Sequence, residues 1–394
     1  IDVKCPVLQR MTDMIAHRGP DSEGHYIDEH AALGHRRLSI IDLGGGQQPI
    51  YNEDGSKVIT FNGEIYNYQP LRDELIAAGH AFTTKSDTEV LLHGYEQWGV
   101  DLLQRVRGMF TFVIWDKNKQ ELFGARDHFG IKPFYYAKMN GTFMYASEIK
   151  SLLRHPDFVK ELNAEALKPY MTFQYPAIGE TFFKGVYKLP EGHYFTYRDG
   201  KMDIHRYYDE DFREGKQKLG ELVNSIDQTV CDSVKAHQIA DVEVGSFLSS
   251  GVDSSYVAAV ARPQHTYSIG FGKGTYNESQ QAGELAELLK LNNTAESLTD
   301  EEAFAAFPRI QWHLDEPDSN PSCVPLYFLS ALAAKDVKVV LSGEGADELF
   351  AGYIDYGVHT KFRPIKVVTR WLTHLPAGAR KAIARFCKGK TFPG

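Results

Sequence analysis

The sequence predicts a layered α+β domain followed by an α/β domain built on a mostly parallel sheet. Two observations carry this. Up to about residue 209 short strands rich in aromatic and β-branched residues are interrupted by helices. From residue 210 onward, strand, small-residue loop and helix alternate, the pattern of a parallel sheet whose strand ends carry the ligand. The expected domains are therefore 1–209 and 210–394.

In chain order, the first domain should hold strands at Lys57 to Phe61, Met109 to Asp116, Gln120 to Ala125 and Phe134 to Ala137. Helices are expected at Val7 to Ile15, Tyr68 to Ala78 and Thr88 to Trp98. Arg198-Asp199-Gly200-Lys201 predicts a hairpin turn between Tyr194 to Tyr197 and Met202 to Tyr207. The charged run Tyr208 to Lys218 predicts a linker. Beyond it Leu219, Leu222, Val223, Ile226, Val230 and Val234 recur at helical spacing. Strand, loop and helix then follow at Val242 to Ala261 and again at Val337 to Phe350. Between these pairs the sequence predicts a strand at Thr266 to Phe271 and a helix at Asn277 to Lys290, and near the end an amphipathic helix at Arg370 to Cys387.

With 394 residues and 43% apolar content the chain can bury more than one core. Its 43 Lys and Arg against 52 Asp and Glu give a net charge of -9, which argues against nucleic acid as the main partner. Apolar runs such as Tyr256 to Ala261 are too short to cross a bilayer. Cys5, Cys231, Cys323 and Cys387 lack paired spacing, so neither a disulfide framework nor a structural zinc site is expected, and a reducing cytoplasm fits best. Among the 15 histidines there is no HExxH and no His-Cys pairing, and most read as surface or packing residues.

Leu248-Ser249-Ser250-Gly251-Val252-Asp253-Ser254-Ser255 lies between a strand and a helix. Backbone N-H groups and serine hydroxyls there can hold an oxyanion at the positive end of the helix dipole, with phosphate or pyrophosphate the natural guest. The loop lacks the GxxxxGK[ST] pattern and its lysine. An ordinary helix cap would use the same residue types. Ser342-Gly343-Glu344-Gly345-Ala346-Asp347-Glu348, however, puts three carboxylates at a second strand-to-helix turn of the same kind.

These residues resemble a known family. The serine loop is similar to the pyrophosphate loop of N-type ATP pyrophosphatases, and Ser342 to Tyr353 resembles the signature of asparagine synthetases. Ser250 departs from it, standing where the family has glycine. Asp315-Glu316-Pro317-Asp318 and Tyr276-Asn277-Glu278-Ser279 are similar to further segments lining that site. In the first half His17 to Asp21, Arg37 to Asp42, Phe61 to Asn67 and Ser86 to Glu89 resemble class II glutamine amidotransferase motifs, in the family's order.

The resemblance implies an αββα, Ntn-hydrolase-like domain ahead of the ATP-pyrophosphatase domain, and amidation of aspartate through a β-aspartyl-AMP with ammonia from glutamine. Residues Leu248 to Ser254, Ile269, Ser342 and Gly343 would contact ATP and pyrophosphate. Asp253 and Asp347 would hold Mg2+, and Glu344 would serve adenylation and amide transfer. Arg37 would take the glutamine α-carboxylate, Glu64 and Asp87 its α-ammonium, and the Asn62 side chain with the Gly63 N-H the oxyanion. Partners would be glutamine, aspartate and ATP, with no membrane, and a homodimer is compatible with this reading. The family's nucleophile is an N-terminal cysteine followed by glycine, whereas residue 1 here is Ile and Cys5 does not match. The chain is thus expected to be truncated at both ends, the C-terminal part with the acceptor-binding residues lying beyond Gly394. Two other readings stay open: a related ligase amidating a polysaccharide or secondary-metabolite carboxylate or closing a β-lactam, and a catalytically silent binding protein.

Overall fold

A computed structural model describes residues 4–175, 177–211, 213, 215–271, 279–353 and 356. The predicted helix at Arg370 to Cys387 and the segment Tyr276-Asn277-Glu278 lie outside the described residues.

The first half is a four-layer sandwich. Its main sheet runs in the order Lys201–Arg206, His193–Arg198, Glu121–Arg126, Gly108–Asp116, Lys57–Ile65, Ile50–Tyr51, antiparallel throughout. Helices Tyr68–Ala77 and Asp87–Trp98 cover one face, burying Leu71, Leu75, Val90, Leu91 and Leu92 against Phe61, Phe110, Phe112 and Phe123. Against the opposite face pack the pair Ser22–Ile27 and Ala32–Arg37 and the sheet Thr142–Ala146, Tyr135–Met139, Val186–Lys188. Helices Lys4–Asp13 and Ile149–Leu152 close that side. The predicted hairpin forms at Asp199 and Gly200, with φ of 50° and 73°.

Some boundaries move. The helix expected from Val7 already includes Lys4 to Pro6, because proline fits a first helical turn, where its missing N-H costs nothing. The strand expected to stop at Phe61 continues to Ile65, so Asn62-Gly63 is mid-strand and not a turn. Gly63 is required there, since a Cβ would stand 2.1 Å from the Met109 carbonyl oxygen of the neighbouring strand.

The second half carries a parallel sheet in the order Asn292–Leu298, His265–Phe271, Val244–Phe247, Val339–Leu341. The chain leaves Val244–Phe247 toward one side and returns, after helices Asp300–Leu314 and Cys323–Ala333, to pair on the other. The carboxyl ends of Val244–Phe247 and Val339–Leu341 therefore flank a topological switch point, where diverging loops leave a crevice. The long helix forms at Leu219–His237, but of its apolar stripe only Val234 is buried. Leu219, Leu222 and Val223 are exposed, uncovered by described residues.

The halves are tied by polar contacts. Asp241 bonds twice to the Ile40 to Asp42 segment, its carboxylate accepting from the Asp42 N-H at 2.7 Å and its N-H donating to the Ile40 carbonyl at 2.9 Å. Lys338 pairs with Asp21 at 2.6 Å and Arg107 with Asp232 at 2.7 Å.

Candidate active site

The residues predicted to bind glutamine meet between the layers of the first half, in a cavity of about 1130 Å³ lined by Arg37, Asn62, Gly63, Glu64 and Asp87 among others. The sequence motifs thus converge. Arg37 ends its strand buried, one guanidinium nitrogen donating to the Ile41 and Asp42 carbonyls, both at 2.8 Å. Gly46 makes room for it, since a Cβ there would stand 2.5 Å from that nitrogen. Asp87 opens the helix Asp87–Trp98, accepts from the Ile65 N-H at 3.0 Å, and is wholly buried. Burial, outweighing that bond, raises its pKa to about 6. Glu64 is raised to about 7, chiefly by burial and further by Asp87, against the pull of Lys132. Two buried carboxylates reluctant to ionise are a seat for a cation such as an α-ammonium group.

The Asn62 amide nitrogen is buried without a hydrogen-bond partner. An orphan donor costs free energy unless something accepts from it. Beside the Gly63 backbone it can serve a developing oxyanion. Gln48 fixes the preceding residue, accepting from the Phe61 N-H at 2.7 Å and donating to the Phe61 carbonyl at 3.1 Å.

Sequence reasoning missed Gln48 and Lys132. Lys132, half-buried, lines the cavity, its pKa lowered by burial against the charge of Glu64. The signal was the turn before Pro133: Asp127 accepts from the N-H groups of Phe110, Phe129, Ile131 and Lys132, and Arg126 donates to the Gly130 and Lys132 carbonyls. Such a tightly tied loop holds the lysine still. Cys5 is exposed and is not among the residues lining the cavity.

The second cluster sits at the switch point. Gly251 caps the helix Val252–Ala261, and Ser254 folds back so that its hydroxyl lies 2.8 Å from that of Ser249 and accepts from the Ser249 N-H at 3.1 Å. The Ser249 hydroxyl accepts from the Gly251 N-H at 3.1 Å. Leu248 is buried, its N-H donating to Tyr267 and its carbonyl accepting from the Ser268 hydroxyl, one residue before half-buried Ile269.

The two loops touch. A Cβ on Gly343 would stand 2.7 Å from the Ser254 nitrogen and 2.8 Å from the Asp253 Cβ. Asp253 stands in the first turn of one helix and Asp347 in the first turn of Ala346–Phe350, and exposed Glu344 follows Gly343 in the chain. A depression of about 710 Å³ nearby shares only Ser250 and Val252 with the predicted set.

Asp315 and Glu316, expected to line this site, turn to the first half instead. Asp315 accepts from the Ile149 N-H at 2.6 Å and pairs with Lys150 at 2.9 Å, and Lys150 also pairs with Glu148 at 2.6 Å. Glu316 pairs with Lys188 at 2.6 Å and accepts from the Phe182 N-H at 3.2 Å. The His17 and Arg18 side chains meet Glu148 at 3.1 and 3.2 Å. The motif His17 to Asp21 thus belongs to the contact between the halves.

A layered amidotransferase-type pocket joined to a parallel sheet with a serine loop and an acidic loop at its switch point defines a class: a glutamine amidotransferase domain fused to an ATP-pyrophosphatase domain. Residues 2–208 match the glutamine amidotransferase domain family and residues 225–386 match the asparagine synthase family. The chain is 43% identical over 382 residues to glutamine-hydrolyzing asparagine synthetase 1 of Bacillus subtilis, covering 96% of this chain and 59% of that protein. It is 38% identical over 411 residues to a putative glutamine-hydrolyzing asparagine synthetase of Mycobacterium bovis, covering 98% of this chain and 62% of the relative. A putative glutamine-hydrolyzing asparagine synthetase 2 of Methanocaldococcus jannaschii is 33% identical over 89% of this chain and 73% of its own length. The chain belongs to the glutamine-hydrolyzing asparagine synthetase family. It spans about three fifths of the first two relatives.

Proposed function

We propose that the protein forms asparagine from aspartate, using ATP and glutamine-derived ammonia and releasing AMP and pyrophosphate. One observation carries the reading: one chain holds both a buried site suited to an amino acid, with an orphan Asn62 donor, and the Ser249 to Ser254 loop packed onto Gly343. The domains assigned to these sites are 1–209 and 210–394.

In the synthetase site an aspartate β-carboxylate oxygen attacks the α-phosphorus of ATP, and the bond to the β-phosphate oxygen breaks. Pyrophosphate leaves into the Ser249 to Ser254 cradle, beside the amino end of the helix. Ammonia then attacks the acyl carbon and AMP departs, with Glu344 taking the proton that the attacking nitrogen loses. The residues fit a hard divalent cation, since Asp253 and Asp347 open helices whose preceding loops are in contact. Bound Mg2+ would neutralise phosphate charge there. Leu248, Ile269, Ser342 and Gly343 form the wall for adenine and ribose.

In the glutamine site Arg37 takes the α-carboxylate, Glu64 and Asp87 the α-ammonium, and Asn62 with Gly63 the oxyanion. The cavity exceeds the needs of one amino acid and runs on along Val113, Trp115, Leu122 and Phe134. That apolar extension suits a further strand carrying the nucleophilic cysteine, expected upstream of Ile1. Reading the gene checks this: an in-frame Met-Cys-Gly start supports it, and an authentic start codon at or just before Ile1 counts against glutamine use. A cytoplasmic location, where ATP and glutamine are available, belongs to the same reading.

Glu344→Gln in the complete protein tests the chemistry. It should greatly slow asparagine formation from ATP, aspartate and ammonium while ATP binding stays nearly intact. Unchanged turnover would remove Glu344 from the reaction.

A further inference from the structure

On the outer side of the first half, Glu53, His80, His93 and Glu96 converge, each offering one donor atom, all within 4.8 Å of one another. Glu53 comes from the turn between Ile50–Tyr51 and Lys57–Ile65, His80 from the loop after the helix Tyr68–Ala77, and His93 and Glu96 from one face of the helix Asp87–Trp98. The His93 Nδ1 lies 3.0 Å from a Glu96 oxygen and 3.6 Å from a Glu53 oxygen. The His80 Nδ1 lies 3.7 Å from the other Glu53 oxygen and 3.8 Å from the same Glu96 oxygen. A tetrahedral zinc ion with bonds of about 2.0–2.1 Å sets neighbouring donors about 3.3 Å apart. The observed spacings bracket that value.

The outer partners are those of a metal site. Histidine ligands usually engage their other ring nitrogen with a carboxylate or carbonyl, which fixes the tautomer. The His80 Nε2 lies 3.1 Å from the Gln97 side-chain oxygen, an acceptor for its proton. The His93 Nε2 is buried without a hydrogen-bond partner and faces a buried Glu89 oxygen at 3.6 Å. Glu89 is itself held by the N-H and hydroxyl groups of Thr83 and Thr84. Glu96 gives its second oxygen to the Asn52 amide at 2.7 Å and to the Lys57 ammonium at 3.4 Å, leaving the first for the cluster. The Glu53 oxygen nearest His80 also accepts from the Ala81 N-H at 3.0 Å.

We infer that Glu53, His80, His93 and Glu96 form a structural zinc site distinct from the glutamine and nucleotide sites. Two imidazoles favour zinc over the hard cations Mg2+ and Ca2+, and four protein donors leave no open position, which marks a structural and not a catalytic centre. The ion would clamp a hairpin turn and a loop onto the helix whose first residue is Asp87, so it stiffens the floor of the glutamine pocket from its far end.

The test uses the chain stripped with EDTA and titrated with Zn2+ by calorimetry, and with Co2+ by visible absorption, against His80→Ala and Glu53→Gln. Glu53 is exposed and His80 half-buried in a loop outside the main core, so folding should survive. The expected result is stoichiometric zinc uptake, an intense tetrahedral Co2+ spectrum, and a raised thermal midpoint with zinc. Either substitution should weaken zinc affinity by at least about tenfold and abolish that midpoint rise. Mg2+ in excess should not compete. Zinc uptake absent, or unchanged in both variants, would overturn the proposal and leave a cluster that holds protons alone.

Discussion

Glu64 and Asp87 set the clearest expectation at the scale of single residues. Their pKa values, about 7 and about 6, are raised because burial penalises the charged form. A glutamine α-ammonium group needs them ionised. Glutamine affinity, measured by calorimetry, should therefore fall as pH drops through about 7 and then about 6. A flat profile between pH 8 and 5 would separate these acids from the ammonium. Asn62→Ala, in the protein carrying its nucleophile, should lower glutaminase turnover by about 10²–10³-fold with little change in KM, the signature of a lost oxyanion donor. Asp253→Asn should weaken Mg-nucleotide binding. The residues that the sequence singles out, Arg37, Asn62, Asp87, Asp253 and Glu344, are those whose chemistry is local to a motif. Gln48 and Lys132 are not singled out, because their importance comes from burial, which one residue's neighbours in sequence do not reveal. The four-residue His/Glu cluster was equally hidden, its ligands being spread over a turn, a loop and a helix.

Elements assemble the sites by contact. Helices Tyr68–Ala77 and Asp87–Trp98 were readable to within a residue, because apolar periodicity and the Ser86 cap mark their limits. The strands Ser22–Ile27 and Ala32–Arg37 were not, since their mixed, glycine-containing sequences SEGHYI and ALGHRR alternate poorly. Asp315 and Glu316 show a different failure: a segment similar to nucleotide-site sequence spends its carboxylates on the other half. Lys150 lies at the centre of that contact, buried between Glu148 and Asp315 and 4.6 Å from the Trp312 ring. Glu148 is held below the usual carboxylate range by Lys150 against its burial, while burial pushes Asp315 up despite the same lysine. Lys150→Met leaves buried Asp315 without its cation and Glu148 with only Arg18 and His17, and should cost about 3–5 kcal/mol in denaturant unfolding. A loss below about 1 kcal/mol would mean that the pair is solvated in solution.

At the scale of the whole molecule, the proposed function joins two chemistries across that contact, one that would release ammonia and one that would activate a carboxylate. A carboxylate is a poor electrophile because its leaving group would be oxide, whereas an acyl-adenylate leaves as AMP. In the proposed reading the second half offers a serine loop for pyrophosphate and acids for Mg2+, and its sequence has no P-loop lysine for a terminal phosphate. The most direct measurement is the product balance of the complete protein given ATP, aspartate and ammonium. AMP, pyrophosphate and asparagine should appear in equal amounts. ADP and phosphate in their place would contradict the adenylation chemistry at the Ser249 to Ser254 loop, and pyrophosphate released with another carboxylate but not with aspartate would move the protein to a different amidating ligase.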